Sequence, residues 1–218
     1  MKIVLFGATG MVGQAAFRAC LHDPDVTEIL AVVRSPLPEE SKRDPKVREL
    51  LHSNFEDFSG LEATFDADAC FWCLGVTSAG LSEAEYMRIT HDFTLAAAKV
   101  LVRPKMTFVF VSGTGAERDV MWARVKRKTE EDVQALAFKD VYVFRPGMIQ
   151  PLHGIKSRTR MYNVLYPILW PLIVVTKLLK PSIVTDTDRV GRALLRVVKR
   201  GYPKKVLENP DINEAASG

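Results

Sequence analysis

Seven residues near the start of the chain, Gly7-Ala8-Thr9-Gly10-Met11-Val12-Gly13, carry three glycines at even spacing. Glycine at the first position allows a tight turn, at the second lets the backbone approach a diphosphate, and at the third permits close packing of a helix on a strand. The amides around Thr9, Met11 and Val12, at a helix start, offer N–H donors and the positive end of the helix dipole to phosphate oxygens. Context supports this chemistry more than the letters do. An apolar run, Lys2 to Phe6, reads as a buried strand before the glycines. Val12, Ala15, Ala16, Ala19 and Cys20 fall on one helical face after them. No Gly-x-x-x-x-Gly-Lys-Ser/Thr segment is present, which disfavours a nucleoside-triphosphate loop. The expected ligand is a pyridine dinucleotide.

The end of the second strand discriminates between the two such nucleotides. An acid there accepts from the ribose 2′-hydroxyl, whereas a cation accommodates a 2′-phosphate. This chain reads Val32-Val33-Arg34-Ser35, and a guanidinium pairs well with phosphate, so NADP is expected over NAD. Other reactive residues are set aside. Cys70 and Cys73 have the redox spacing but fall within one strand, where positions i and i+3 face opposite ways. His22, His52, His91 and His153 show no paired metal spacing, and no metal is expected. His153 alone falls near the expected pocket mouth, as a proton source or a solvated loop residue. Glu130-Glu131-Asp132 reads as a solvated helix face.

The elements that must position these residues alternate. Strands are predicted at 28–33, 50–54, 68–75, 107–112 and 141–145, and helices at 83–102, 119–138 and 188–199, with a proline-rich loop and weak helix at 35–48. Parallel neighbours need crossover helices, so the fold class is α/β, a doubly wound parallel sheet of Rossmann type with a small C-terminal helical lid. At 218 residues the chain is one domain, with 151–185 as substrate-side lid or insertion. Met161 to Thr176 carries no charge. As a helix it reaches about 24 Å, short of the roughly 30 Å of a hydrocarbon core, and Pro167 and Pro171 interrupt it. The apolar stretch 161–179 is read first as pocket wall and core, second as a subunit interface, third as a peripheral membrane contact.

These segments resemble the short-chain dehydrogenase/reductase superfamily, its atypical members in particular. Gly7 to Gly13, Cys73-Leu74-Gly75, Val111-Ser112 and Phe144-Arg145-Pro146-Gly147 occur in that superfamily's order. The chain looks most like the oxidoreductases of the Tat-interacting protein type, nearly throughout, as far as Leu207-Glu208-Asn209. The resemblance implies that Leu74, Gly75 and Val76 line the cofactor ribose, and that Pro146 and Met148 flank the nicotinamide. It implies a Tyr and a Lys at i, i+4 on the helix after the fifth strand, where the ammonium lowers the phenol's pKa and holds the ribose. Here the segment is Trp122-Ala123-Arg124-Val125-Lys126. Lys126 fits, while indole is a donor only and exchanges no proton near neutral pH. Trp122 is read as a pocket lid or as core. Ser112 stands where the family orients a substrate carbonyl, or is a strand-end hydroxyl bonded to backbone.

Composition bounds the rest. Apolar residues make up 47% and charged residues 26%, the profile of a folded globular chain. A net +4 spread along the chain gives no support for nucleic-acid binding. Three cysteines argue against a disulfide framework, and no signal-like h-region opens the chain, so a cytosolic protein is expected. Three functions remain: an NADP-dependent reductase of a small hydrophobic carbonyl, a dinucleotide-binding regulatory or scaffold protein without turnover, or, on the late apolar segment alone, a membrane-associated factor. The partner is a small-molecule substrate or a protein, and the chain is expected as monomer or homodimer.

Overall fold

The computed structural model describes residues 1–155 and 183–218. The central sheet has seven parallel strands in the order β3-β2-β1-β4-β5-β6-β9. They are β1 (Lys2–Phe6), β2 (Glu28–Val33), β3 (Val47–Leu51), β4 (Ala69–Trp72), β5 (Thr107–Val111), β6 (Asp140–Arg145) and β9 (Val206–Glu208). Two further strands, β7 (Met148–Gln150) and β8 (Val184–Asp186), form a separate parallel pair in which Met148 lies opposite Val184. The strand order reverses between β1 and β4, and ligands bind above the strand ends at such a switch point.

Helices cover both faces. One face carries α1 (Met11–His22), α5 (Thr187–Arg200) and α6 (Asn209–Ser217). The other carries α2 (Glu83–Met87), a π-helical turn (Arg88–Asp92), α3 (Phe93–Leu101) and α4 (Met121–Gln134). Strand alternation feeds both layers: Ile3, Leu5, Ala69, Phe71 and Val109 enter one core, and Val4, Phe6, Cys70, Trp72 and Phe110 the other. Nearly continuous apolar strands are what a sheet buried on both faces requires. In the second core Phe6 packs on Phe55, Phe58, Phe65 and Trp72, with centroids 4.5–6.2 Å apart. On the opposite face Gly191 lets α5 close on α1, since a Cβ there would stand 2.5 Å from the Ala15 carbonyl oxygen.

The doubly wound parallel sheet expected from sequence is present. Four features differ. The third strand is Val47–Leu51, three residues earlier than expected, because its charged Arg48 and Glu49 lie at the sheet edge and break the apolar run. β7, β8 and β9 have three residues each, too few for a periodic signal. A last helix, α6, follows β9, with Pro210 in its first turn. Glu130 belongs to no solvated face: it is 3% exposed and ion-paired. The helical lid and the apolar stretch 161–179 lie outside the described residues. No helix among the described residues is long and apolar enough to cross a membrane.

Candidate functional site

The glycine turn joins β1 to α1. Gly7 takes φ +78°, and a Cβ on it would stand 2.7 Å from the Cys73 carbonyl carbon and 2.8 Å from the Leu74 nitrogen. Its turn is closed by the Gly10 amide donating to the Gly7 carbonyl at 2.8 Å. A Cβ on Gly13 would come within 1.9 Å of that same carbonyl oxygen, so only glycine lets α1 start this close to β1. Gly10 precedes the helix without a capping side chain, and no acid occupies the first turn. The amides of Met11, Val12 and Gly13 therefore have no intrahelical acceptor and no competing carboxylate. Gln14 braces the turn, its Nε2 donating to the Thr9 carbonyl at 3.1 Å.

A cleft of about 250 Å³ opens beside this turn, lined by Gly7, Thr9, Val32, Val33, Arg34, Ser35, Phe55 and Leu74. It unites residues from the ends of β1, β2 and β4. Arg34 and Ser35 are exposed there, and Arg34 makes no ion pair or hydrogen bond among the described residues. The cleft's chemistry suits the phosphate-bearing adenosine half of a dinucleotide. The glycines leave the room a diphosphate needs, uncapped amides face it, and a free cation stands at the end of β2. Gly75 and Val76 follow Leu74 on the exposed tip of the β4 segment, with open space around Gly75.

The other expected site residues lie on neighbouring segments: Ser112 at the end of β5, Trp122 and Lys126 on α4, and Pro146 and Met148 at the turn after β6. The Ser112 amide donates to the Phe144 carbonyl at 2.7 Å, and its hydroxyl is buried without a partner. A buried hydroxyl without a partner is uncommon in native proteins, and Ser112 shares that state with Thr90 and Thr185. The backbone beyond Ser112 is zipped to the turn after β6: Thr114 donates its amide to the Pro146 carbonyl at 3.1 Å and its hydroxyl to the Arg145 carbonyl at 2.9 Å. Pro146 is buried and Met148 half-buried, and the Met148 amide donates to the Ile183 carbonyl at 3.3 Å. Trp122 turns its ring edge toward Gly115, where a Cβ would lie 3.2 Å from Cη2. The indole thus packs on the loop after β5, in the slot that glycine at φ +94° leaves open.

Lys126 lies one turn along α4 with its ammonium 5.8 Å from the Phe110 ring centroid. Burial pushes that ammonium down to about 8, partly opposed by the charge of Glu130. Glu130 itself is committed elsewhere. Its carboxylate accepts from Arg145 Nε at 3.1 Å and Nη2 at 2.5 Å, and Arg145 also reaches Glu208 at 3.1 Å. These acids raise the guanidinium pKa. The three residues tie α4, β6 and β9 together directly before the Pro146-Gly147 turn.

Sequence reasoning missed Asn209. Its Oδ1 accepts from the Gly147 amide at 3.0 Å, and a Cβ on Gly147 would stand 2.8 Å from the Ile183 carbonyl. The one available signal was Asn-Pro at a helix start. Cys70 and Cys73 face opposite cores, and burial raises both thiols. His153 pairs with Asp188 at 2.9 Å and lines a second cleft, of about 580 Å³, on the α1 side with Thr9, Gln14 and Arg18.

Comparison with known proteins agrees with this architecture. No protein-family model matches the chain. Over 157 residues it is 31% identical to "Protein fmp52, mitochondrial" of Emericella nidulans, covering 68% of this chain and 66% of that protein. Over 166 residues it is 30% identical to "Protein FMP52, mitochondrial" of Saccharomyces cerevisiae, covering 73% of this chain and 69% of that one. The chain thus spans about two thirds of the length of the curated relatives it matches. An oxidoreductase of the short-chain dehydrogenase/reductase family from Burkholderia thailandensis superposes with TM-score 0.73 at 14% identity, covering 98% of this chain and 92% of that one. A 3-oxoacyl-[acyl-carrier protein] reductase from Brucella melitensis in complex with NAD superposes with TM-score 0.70 at 17% identity, over 97% and 96%. These relatives correct the cytosolic expectation, because the curated ones are named as mitochondrial. That expectation rested on composition and the absence of a signal-like h-region, neither of which reports on mitochondria. With a Rossmann-like sheet of the short-chain dehydrogenase/reductase kind and 30% identity over more than two thirds of the yeast protein, the chain belongs to the FMP52 family.

Proposed function

We propose that the chain is a mitochondrial NADP-dependent oxidoreductase of the atypical short-chain type, acting on a small apolar carbonyl compound. The observation that carries this is the glycine turn beside Arg34: an uncapped helix start, no acid near it, and an unpaired cation lining the same cleft. Gly7, Thr9, Gly10, Met11, Val12 and Gly13 would hold the diphosphate, and Arg34 with Ser35 the 2′-phosphate. Leu74, Gly75, Val76 and Lys126 would border the ribose, and Pro146 and Met148 the nicotinamide, which when bound supplies or accepts a hydride. Ser112 would donate to the substrate carbonyl oxygen, satisfying the hydroxyl that is otherwise unpartnered. Val76, Val120 and Ile183 are among the few exposed large apolar residues, standing after β4, before α4 and before β8. Their exposure favours an apolar substrate.

Calorimetric titration with NADPH and NADH tests the nucleotide choice. NADPH binds more tightly to the unmodified protein, and Arg34→Ala weakens NADPH by about tenfold to a hundredfold while leaving NADH nearly unchanged. Equal affinities for the two nucleotides would remove the preference for NADP. Trp122 in place of a phenol favours a second function, a dinucleotide-controlled regulatory protein. In that case NADPH binds and is not consumed with any carbonyl acceptor.

A further inference from the structure

With no phenol at position 122, the site needs another source for the proton that a reduced carbonyl oxygen takes up. Among the described residues the remaining phenols are occupied or remote. Tyr142 accepts from the Tyr202 amide, Tyr202 donates to Glu214, and Tyr86 is buried within α2. Thr114 spends its hydroxyl proton on the Arg145 carbonyl, and His153 is paired with Asp188 on the α1 side. Strand alternation places Ser112 on the face of β5 that carries Phe110. Lys126 Nζ stands over the Phe110 ring at 5.8 Å. An ammonium and an unpartnered hydroxyl therefore share one side of the carboxyl end of β5.

We infer that Lys126 is the proton donor of this site, its ammonium held over the Phe110 ring on the face of β5 that Ser112 continues and doing directly what a phenol at position 122 would otherwise do. The inference rests on the oxidoreductase function proposed above. In the reductive direction a reduced nicotinamide, when bound, would supply the hydride to the substrate carbon, and the π pair of C=O would pass to oxygen. That oxygen takes a proton from Nζ; an N–H bond breaks, an O–H bond forms, and the neutral amine regains its proton from water. Oxidation runs the same steps backwards, with the amine as base.

The surroundings leave the ammonium able to do this. Of the charged groups on the elements packed against α4, Glu83 pairs with Arg124, His91 with Asp132, and Arg145 with Glu130 and Glu208. Among the described residues Glu130 is the charge that acts on Lys126, and burial outweighs it, so the ammonium falls to about 8. A group with that value is mostly protonated at pH 7 and a stronger acid than an ordinary phenol, close to the optimum for proton transfer near neutrality.

The test combines a titration with a rate profile on the full chain. Amine labelling by trinitrobenzenesulfonate, mapped peptide by peptide against pH, should reach half its maximum for Lys126 near pH 8, well below the ordinary 10.5, and bound NADPH should protect it. With 4-nitrobenzaldehyde as acceptor, the reduction rate should be level below that midpoint and fall above it. Lys126→Arg keeps a cation for the ribose, so NADPH affinity stays within about threefold, while turnover drops by about a hundredfold or more and the alkaline limb disappears. Lys126→Met, which carries no charge at all, should lose the same limb. Labelling of Lys126 together with the other lysines, or a Lys126→Arg protein that keeps rate and limb, would overturn the inference and leave nucleotide binding intact. A wild-type protein that binds NADPH but leaves the aldehyde unreduced would overturn the oxidoreductase function and the inference together.

Discussion

Lys126 and Glu130 stand one turn apart on α4, and their settings pull them in opposite directions. Glu130 is almost fully buried but is paired with the Arg145 guanidinium, which it shares with Glu208, whereas Lys126 is desolvated against an aromatic ring and forms no ion pair among the described residues. The lysine therefore carries a pH signature. Its folded value is about 8 and its ordinary value 10.5. Between these the unfolded chain holds a proton that the folded chain lacks, so stability rises with pH across that window. Below it the folded state bears the full cost of the buried ammonium. Lys126→Met should accordingly raise stability at pH 7, with an advantage that shrinks between pH 8 and 10.5, as urea midpoints across that range will show. The tight glycine turn was legible in the sequence because its need for glycine follows from local backbone geometry. Glu130 was not, because it sits in a run of three acids and its partner lies fifteen positions away.

At the level of elements, the two halves of the site are joined by short segments that bring no periodicity of their own. β9 and α6 supply Glu208 and Asn209, and β8 is flanked by the Ile183 carbonyl that receives the Met148 amide. These contacts hold the turn after β6 against the loop after β5. Asn209→Ala leaves the Gly147 amide without its acceptor, which should cost about 1–3 kcal/mol in urea unfolding and impair turnover more than nucleotide affinity. The opening strand, helix and second strand could be read directly, since a continuous apolar run and a clean helical face each have a period. Three-residue strands have none. Their existence depends on pairing across the fold, Met148 with Val184 and Phe144 with Leu207, which no local window contains. Asn209 was hidden for the same reason, its hydrogen bond closing a separation of 62 residues.

For the molecule as a whole, the parallel sheet gathers every candidate residue at one end, because right-handed crossovers return each strand in the same direction. Nucleotide binding should therefore stabilise the fold globally. NADPH at a hundred times its Kd adds about 2.7 kcal/mol, a rise of roughly 5–10 °C in Tm for a chain of this size. A Tm unchanged by either nucleotide would contradict the cofactor assignment. Trp122 offers a way to watch the same event. The chain has three tryptophans, and Trp72 is sealed in the core at 0% exposure. The indole against Gly115 rests on the loop that leaves Ser112. With Trp170 replaced by Phe, changes in emission above the constant background of the sealed Trp72 report on Trp122, a built-in optical gauge of how the mouth of the protein responds when it is filled.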